Sequence, residues 1–130
     1  MKPTRRKSIL EKIARKNLAE TAKLRNAIGQ QEKQIFEIYE LMTRVKELHE
    51  DSSQAHCVSP NELRAARWYS LKLSEQLVIL ENRIEFAETE LAALRKTSRD
   101  KSYKNSKLEK LIGEAKQLVR LEKSAIRKRK

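Results

Sequence analysis

The sequence predicts an all-α protein: two long helices packed as an antiparallel coiled-coil hairpin, in which helix 2 is longer than helix 1 and overhangs it. Only two Gly and two Pro occur in 130 residues, too few for the turns of a β or α/β fold. Charged residues make up 37% of the chain, a composition typical of long helices or of charged disordered segments. Two long stretches in which apolar residues recur every three or four positions favour helices over disorder.

Helix 1 is predicted over about residues 8–50. Its apolar seam advances in alternating steps of four and three residues, which is the spacing of a coiled-coil seam. The seam comprises Leu24, Ile28, Gln31, Ile35, Ile38, Met42 and Val45, and it continues more weakly backwards through Leu10, Ala14, Asn17 and Thr21.

The predicted loop covers residues 51–59, where the repeat stops. Ser59 is a favourable N-cap, Pro60 suits the first helical position, and Glu62 completes a capping box three residues after the serine. A second helix is therefore predicted to begin at residue 60.

Helix 2 is predicted over about residues 60–125, with the same alternating repeat. Its seam comprises Leu73, Leu77, Leu80, Ile84, Ala87, Leu91 and Leu94. The segment 96–107 has only polar seam positions, so it could bend, fray or form a polar layer. Apolar seam residues return at Leu108, Ile112, Ala115, Val119 and Ile126.

A short loop between two such helices predicts a single hairpin domain over residues 1–130. A tight connection would place Ile35 near Leu77 and Ile28 near Ile84, with the N-terminus near residue 110. About twenty residues of helix 2 would then overhang, and their seam would lack a partner within the chain. We expect a monomer; a homodimer is the alternative, because an apolar seam does not encode its partner.

Charge is distributed unevenly along the chain, whose formal net charge is +12. Residues 1–25 carry a net charge of +7 and residues 95–130 carry +10, whereas residues 26–94 carry −5. In a hairpin the two basic segments would meet. Basic side chains there would lie beside an apolar seam that has no partner within the chain. Such an end would suit insertion into a partner protein, or contacts with phosphates.

The sequence contains no pattern that indicates catalysis or a cofactor. Neither a P-loop nor a dinucleotide-binding glycine motif is present, and His49, His56 and the single cysteine, Cys57, do not have the spacing of metal ligands. Two helices also enclose no deep pocket. We therefore expect a non-enzymatic protein without cofactor or metal. The basic N-terminus is followed by no apolar stretch, so we expect a cytoplasmic protein without a signal peptide or membrane insertion.

Trp68 and Tyr69 lie near the start of helix 2 and allow two interpretations. They could pack against the end of helix 1, near Leu41 and Met42. Alternatively, they could form an exposed anchor for a partner, since Trp and Tyr are common binding hot spots.

The layout resembles the FliJ/YscO family, the coiled-coil stalk proteins of bacterial flagellar export and type III secretion. The similarity covers nearly the whole chain and is one of architecture: two helices around a short polar loop, Arg67-Trp68-Tyr69 near the start of helix 2, and a charged end. In that end, residues 114–123 read EAKQLVRLEK, which is similar to the family's E-x-K-x-x-x-x-x-E-K tail.

The resemblance implies a central stalk that links the hexameric export ATPase to the cytoplasmic domain of the membrane export gate, with secretion chaperones as further partners. Trp68 and Tyr69 are the candidate residues for the export gate or another partner. The candidate ATPase-binding residues lie in the basic terminal segments: Lys2, Arg5, Arg6, Lys7, Ile112, Val119, Arg120, Ile126, Arg127 and Lys128.

The competing hypothesis is a basic coiled-coil protein that binds nucleic acid or acts as a structural adaptor. A net charge of +12 would support phosphate neutralisation. The layout of a basic leucine zipper is absent, however, because no compact basic region directly precedes a zipper. Nucleic acid is therefore the less favoured partner.

Overall fold

The computed structural model describes residues 2–54 and 59–129. It contains two helices, α1 (Pro3–Gln54, 52 residues) and α2 (Pro60–Arg129, 70 residues), and these described residues include no strand. Hydrogen bonds join α1 to α2 in antiparallel order: Glu20 pairs with Lys101, Gln31 with the Ala87 carbonyl, and His49 with Ser74. The predicted all-α helical hairpin, with helix 2 the longer helix, is confirmed.

The start of α2 follows the predicted cap. The Oγ atom of Ser59 accepts a hydrogen bond from the backbone N–H of Glu62 at 3.2 Å, and the Ser59 carbonyl accepts one from the N–H of Leu63 at 3.0 Å. Pro60 occupies the first helical position, where a missing N–H has no cost. The cap at Ser59 and the proline at position 60 thus determine where α2 begins.

Helix α1 is longer at both ends than the predicted range of 8–50. It begins at Pro3, and the Arg6 N–H donates to the Lys2 carbonyl at 3.1 Å, closing the first turn. At the other end, the hydroxyls of Ser52 and Ser53 donate to the His49 carbonyl at 2.8 and 2.9 Å, within continuous helix. Residues 51–54, predicted as loop, are therefore helical. Residues 55–58 of the predicted loop lie outside the described residues.

The seams of both helices are the surfaces that they bury. On α1 every predicted seam residue from Leu10 to Val45 is half-buried. Among the described residues, the most buried hydrophobic side chains all lie on α2: Leu73, Leu80, Ile84, Ala87, Leu91, Leu108, Ala115 and Val119. The alternating repeat correctly identified the core of the protein up to Val119.

The predicted register between the helices is wrong. The Gln31 side chain, expected between the levels of Leu77 and Ile84, instead donates to the Ala87 carbonyl at 3.1 Å. His49 contacts Ser70 and Ser74 in the same shifted register. The seam repeats every seven residues, so several registers bury apolar side chains similarly, and a presumed tight loop cannot choose between them.

The shifted register shortens the overhang. Ala115 and Val119 are buried and Ile112 is half-buried, whereas residues 120–129 are all exposed. The exposed end of α2 is thus about half as long as expected, and Ile112 and Val119 do not belong to an unpartnered seam. Only Ile126, which is 51% exposed, matches that expectation.

The polar segment 96–107 is uninterrupted α-helix. Its seam residues Ser98, Lys101 and Asn105 are half-buried. The segment therefore neither bends nor frays, and it forms the polar layer that was the third predicted alternative.

The chain divides into two compact units, and each contains a part of both helices. The terminal unit comprises Met1–Ala27 and Leu94–Lys130, and the loop unit comprises Ile28–Ala93. These two names are used below.

Candidate functional site

The terminal unit holds most of the chain's positive charge. Its sequence has 23 basic and six acidic residues, a net charge of +17, whereas the loop unit has seven basic and 12 acidic residues, a net charge of −5. Such a surplus attracts anionic partners over roughly 10 Å at 0.1 M salt. The terminal unit is therefore the strongest candidate for an electrostatic binding surface.

Six of the predicted ATPase-binding cations are exposed in the terminal unit: Lys2, Arg5, Arg6, Arg120, Arg127 and Lys128. Lys7 is half-buried, because it occupies a seam position of α1. The first turn of α1 contains no acidic residue, although the positive end of the helix dipole favours one. Basic side chains at this helix start are thus a cost to local stability.

The predicted apolar contact residues fall into two classes. Val119 is only 7% exposed, and Ile112 is half-buried, so neither presents a free side chain to a partner. Of the predicted residues, Ile126 is exposed at 51%; Leu121, which was not among the predicted contact residues, is exposed at 66%. Within residues 120–129, the large apolar side chains that a partner could contact are therefore Leu121 and Ile126.

Polar side chains meet inside the seam of the terminal unit. Lys101 Nζ donates to Glu20 Oε2 at 2.7 Å, and Asn105 Nδ2 donates to Thr21 Oγ1 at 3.1 Å. The hydrogen bond and charge of Lys101 lower the pKa of the Glu20 carboxyl below its ordinary value. The Asn105 Oδ1 atom is buried and has no hydrogen-bond partner among the described residues. A buried polar atom without a partner costs stability, so this layer contributes less to stability than an apolar layer would.

The terminal unit also has an apolar strip that the seam analysis missed. Ile13, Leu111 and Leu118 each stand one residue before a seam residue, and Ile9 and Leu121 extend their rows by one helical turn. All five side chains are exposed. The signal was available in the sequence, as a second apolar position beside the seam, but such positions are also common in a broad core-facing stripe.

Trp68 and Tyr69 are exposed in the loop unit. Trp68 is 62% exposed, and the Lys72 ammonium lies 5.8 Å from its ring centroid. Because a packed tryptophan would lose most of its exposure, this arrangement fits the interpretation as an exposed anchor better than packing against helix 1.

A groove between the helices follows one flank of the loop unit. Two adjoining cavities of about 480 and 410 Å³ share Gln34, Ile38 and Arg83 as lining residues. The larger cavity also borders Phe86, which is 67% exposed. The groove is large enough for apolar side chains of a partner, but its charged lining mixes Arg83 with Glu37 and Glu90 and so favours no sign of charge.

His49 is held within the protein. Its Nε2 atom lies 3.2 Å from the Ser70 hydroxyl and 3.0 Å from the Ser74 hydroxyl. No cluster of three metal-ligating side chains occurs in the part of the chain that the structure describes, and His56 and Cys57 lie outside that part.

The described portions of α1 and α2 contain no stretch that is both long and apolar enough to cross a membrane. Comparisons with protein-family models, with curated proteins and with solved structures find no match to this chain.

Proposed function

We propose that the protein is a non-enzymatic central-stalk component of a bacterial type III secretion or flagellar export apparatus. It would act in the cytoplasm, at the cytoplasmic face of that apparatus, and link the hexameric export ATPase to the cytoplasmic domain of the export gate. The observation that supports this most is the division of charge, with +17 on the terminal unit and −5 on the loop unit. The architectural resemblance to the FliJ/YscO family supplies the identity of the partners.

The terminal unit is the part proposed to enter the ATPase ring. Its exposed cations, among them Arg5, Arg120 and Arg127, would face acidic groups on the wall of the pore. Such complementarity contributes orientation and association rate more than affinity. Leu121 and Ile126 would supply the apolar contacts, since Val119 is already buried against the protein's own core.

The loop unit is the part proposed to contact the gate. Trp68 and Tyr69 are exposed, and the Lys72 ammonium lies 5.8 Å from the Trp68 ring centroid. Trp and Tyr are common binding hot spots and supply a large rigid contact area at a low cost in conformational entropy. Secretion chaperones are a further possible class of partner for this unit.

The test measures stimulation of the hexameric ATPase by three variants. Replacing Leu121 and Ile126 with Gln removes the exposed apolar contacts and keeps every charge. Replacing Arg127, Lys128 and Arg129 with Gln removes charge alone. The matched control replaces Leu71 and Val78, which are exposed in the loop unit, with Gln.

A ring-inserting stalk should lose stimulation in the first two variants and keep it in the control. If the Leu121/Ile126 variant stimulates as well as the parent protein does, insertion through this end of α2 is wrong. Circular dichroism checks that all three variants remain helical, which is expected because Gln is a good helix former.

Nucleic-acid binding is the second candidate function, and the +17 charge of the terminal unit favours it. A phosphate binder would weaken in the charge variant, with a steep dependence on salt, and would be nearly indifferent to the Leu121/Ile126 variant. Duplex DNA binding measured on the same three variants separates the two functions.

A further inference from the structure

We infer that the terminal unit carries a peripheral binding surface for anionic lipid bilayers, formed by its apolar strip and the basic residues around it. The inference does not rest on the proposed export function. The lipid surface shares Leu121 and Arg6 with the proposed ATPase contact, so the test below changes only Ile13 and Leu118, which the ATPase contact does not use.

The strip runs along both helices, and on α2 it is interrupted by Glu114, which lies in the same row between Leu111 and Leu118. On α1, Ile9 and Ile13 are four residues apart, and on α2, Leu111, Leu118 and Leu121 are seven and three apart, so each set lies in one row. Their exposed fractions run from 38% for Ile9 and Leu111 to 66% for Leu121.

The two rows flank the same side of the helix pair. Ile13, Leu111 and Leu118 each precede a seam residue, and in an antiparallel pair these positions of the two helices adjoin. The loop unit shows the same geometry directly, because Gln34, Arg83 and Glu90, which also precede seam residues, line one cavity there.

Basic side chains border the strip. Arg6, Lys16, Lys104 and Lys107 are all exposed on the same flank, and Lys107 lies 4.6 Å from the centroid of the Tyr103 ring. Asp100, Glu20 and Glu114 are the acidic residues of that flank, and Glu20 is already paired with Lys101. A row of aliphatic side chains between cations matches the boundary between headgroups and acyl chains, where apolar groups are buried and cations meet anionic lipid.

The apolar strip also distinguishes an anionic lipid bilayer from nucleic acid, which the same positive charge would attract. Duplex DNA offers phosphates to cations but no apolar phase for five Ile and Leu side chains. Single strands bind through stacking on aromatic rings, and Tyr103 is the only aromatic residue of this unit. The charge fits both partners, whereas the strip fits only the bilayer.

The test is co-sedimentation of the full chain with vesicles of phosphatidylcholine alone or mixed with phosphatidylglycerol. One variant replaces Ile13 and Leu118 with Gln. The matched control replaces Leu41 and Leu48 with Gln, because these residues occupy the same flank position in the loop unit with similar exposure.

We expect the parent and the control to bind the mixed vesicles and not the neutral ones, and the Ile13/Leu118 variant to bind about tenfold or more weakly, since each buried CH₂ contributes on the order of 0.8 kcal/mol. Equal binding by all three proteins would overturn the inference, because attraction by charge alone would then suffice. Absence of binding by the parent would also overturn it.

A second measurement keeps the inference testable if the Gln variant unfolds. With Cys57 replaced by Ser, an environment-sensitive fluorophore is attached to a cysteine at position 118 or at position 41. Emission should shift to the blue on anionic vesicles at position 118 only. No shift at position 118, or equal shifts at both positions, would contradict the proposed surface.

Discussion

The loop unit and the terminal unit are built on the same seven-residue repeat, but they use it differently. In the loop unit the middle of the seam is apolar on both helices, from Ile35 to Val45 and from Leu77 to Leu91. Polar contacts between the helices lie at the two ends of that apolar stretch, at Gln31 and His49, or beside it, as in the hydrogen bond from the Tyr39 hydroxyl to Glu88 Oε1 at 2.9 Å. In the terminal unit, Lys101, Thr21 and Asn105 place polar contacts inside the seam.

The comparison shows that the same repeat can form a well-packed apolar region in the loop unit and a less stable, highly charged candidate binding region in the terminal unit. The loop unit has a smaller net charge, −5, and gains stability from apolar layers. The terminal unit bears a net charge of +17 and a polar layer, both of which lower its own stability. We expect the terminal unit to open more readily, in the sense of local unfolding below the global free energy. The four predictions below test that contrast.

The largest effect is expected from truncating the core. Leu80→Ala in the loop unit should lower the free energy of unfolding by roughly 2–4 kcal/mol, because Leu80 is 3% exposed and its removal leaves a cavity between apolar layers. Leu108→Ala in the terminal unit should cost less, because Leu108 adjoins the polar layer at Asn105. Urea denaturation measures both. Leu121→Ala, at an exposed position, is the control and should cost under ~1 kcal/mol. Equal losses in all three variants would contradict the described core.

The second prediction concerns the polar layer itself. Asn105→Leu should raise the free energy of unfolding by about 1 kcal/mol or more, because it removes a buried oxygen without a partner and adds apolar burial. Thermal unfolding measures the gain. The same substitution should loosen the choice of register or oligomeric state, since a single buried Asn can specify both. Sedimentation equilibrium detects that change, and a destabilised Leu variant would show that Asn105 stabilises the seam.

The third prediction uses one glycine from each unit. Gly29 lies in the loop unit and Gly113 in the terminal unit, and a Cβ atom added at either position meets nothing within 4 Å. Each Gly→Ala substitution should therefore stabilise its helix by about 0.5–1 kcal/mol. Amide hydrogen exchange locates the gain. Gly113→Ala should slow exchange in the terminal unit and leave the loop unit nearly unchanged, whereas uniform slowing in both units would show that they open together.

The smallest effect is expected from the Glu20–Lys101 pair. Its lowered pKa means that folding favours the charged carboxylate of Glu20. The resulting stabilisation is present above the ordinary pKa of 4.5 and is lost as the pH falls through the lowered folded-state value. Glu20→Gln should therefore reduce the loss of stability on acidification below 4.5.

Thermal unfolding measured at several pH values checks this prediction. Glu114→Gln, which alters an exposed carboxylate in the same unit, is the control. An acid dependence that is unchanged in Glu20→Gln but reduced in Glu114→Gln would contradict the role of the pair.

Local patterns were enough to predict much of this protein. The alternating repeat identified the helices and their buried faces as far as Val119, and Ser59 and Pro60 located the start of α2. These features depend on residues within one or two turns of each other, so a single helix already contains the information. The uneven distribution of charge is likewise a property of the sequence alone.

The partner of each seam residue was decided only by the tertiary structure. Because the repeat is periodic, pairing Gln31 with the level of Leu80 or with Ala87 satisfies it almost equally, and contacts such as Glu20–Lys101 accompany one register. That register buries Val119 and leaves Leu121 exposed, which changed the candidate contact residues at the end of α2. The apolar positions beside the seam are visible in the sequence, but only the structure showed that their side chains are exposed. The same positions are buried in a wider helix interface, so the pattern alone does not decide between the two.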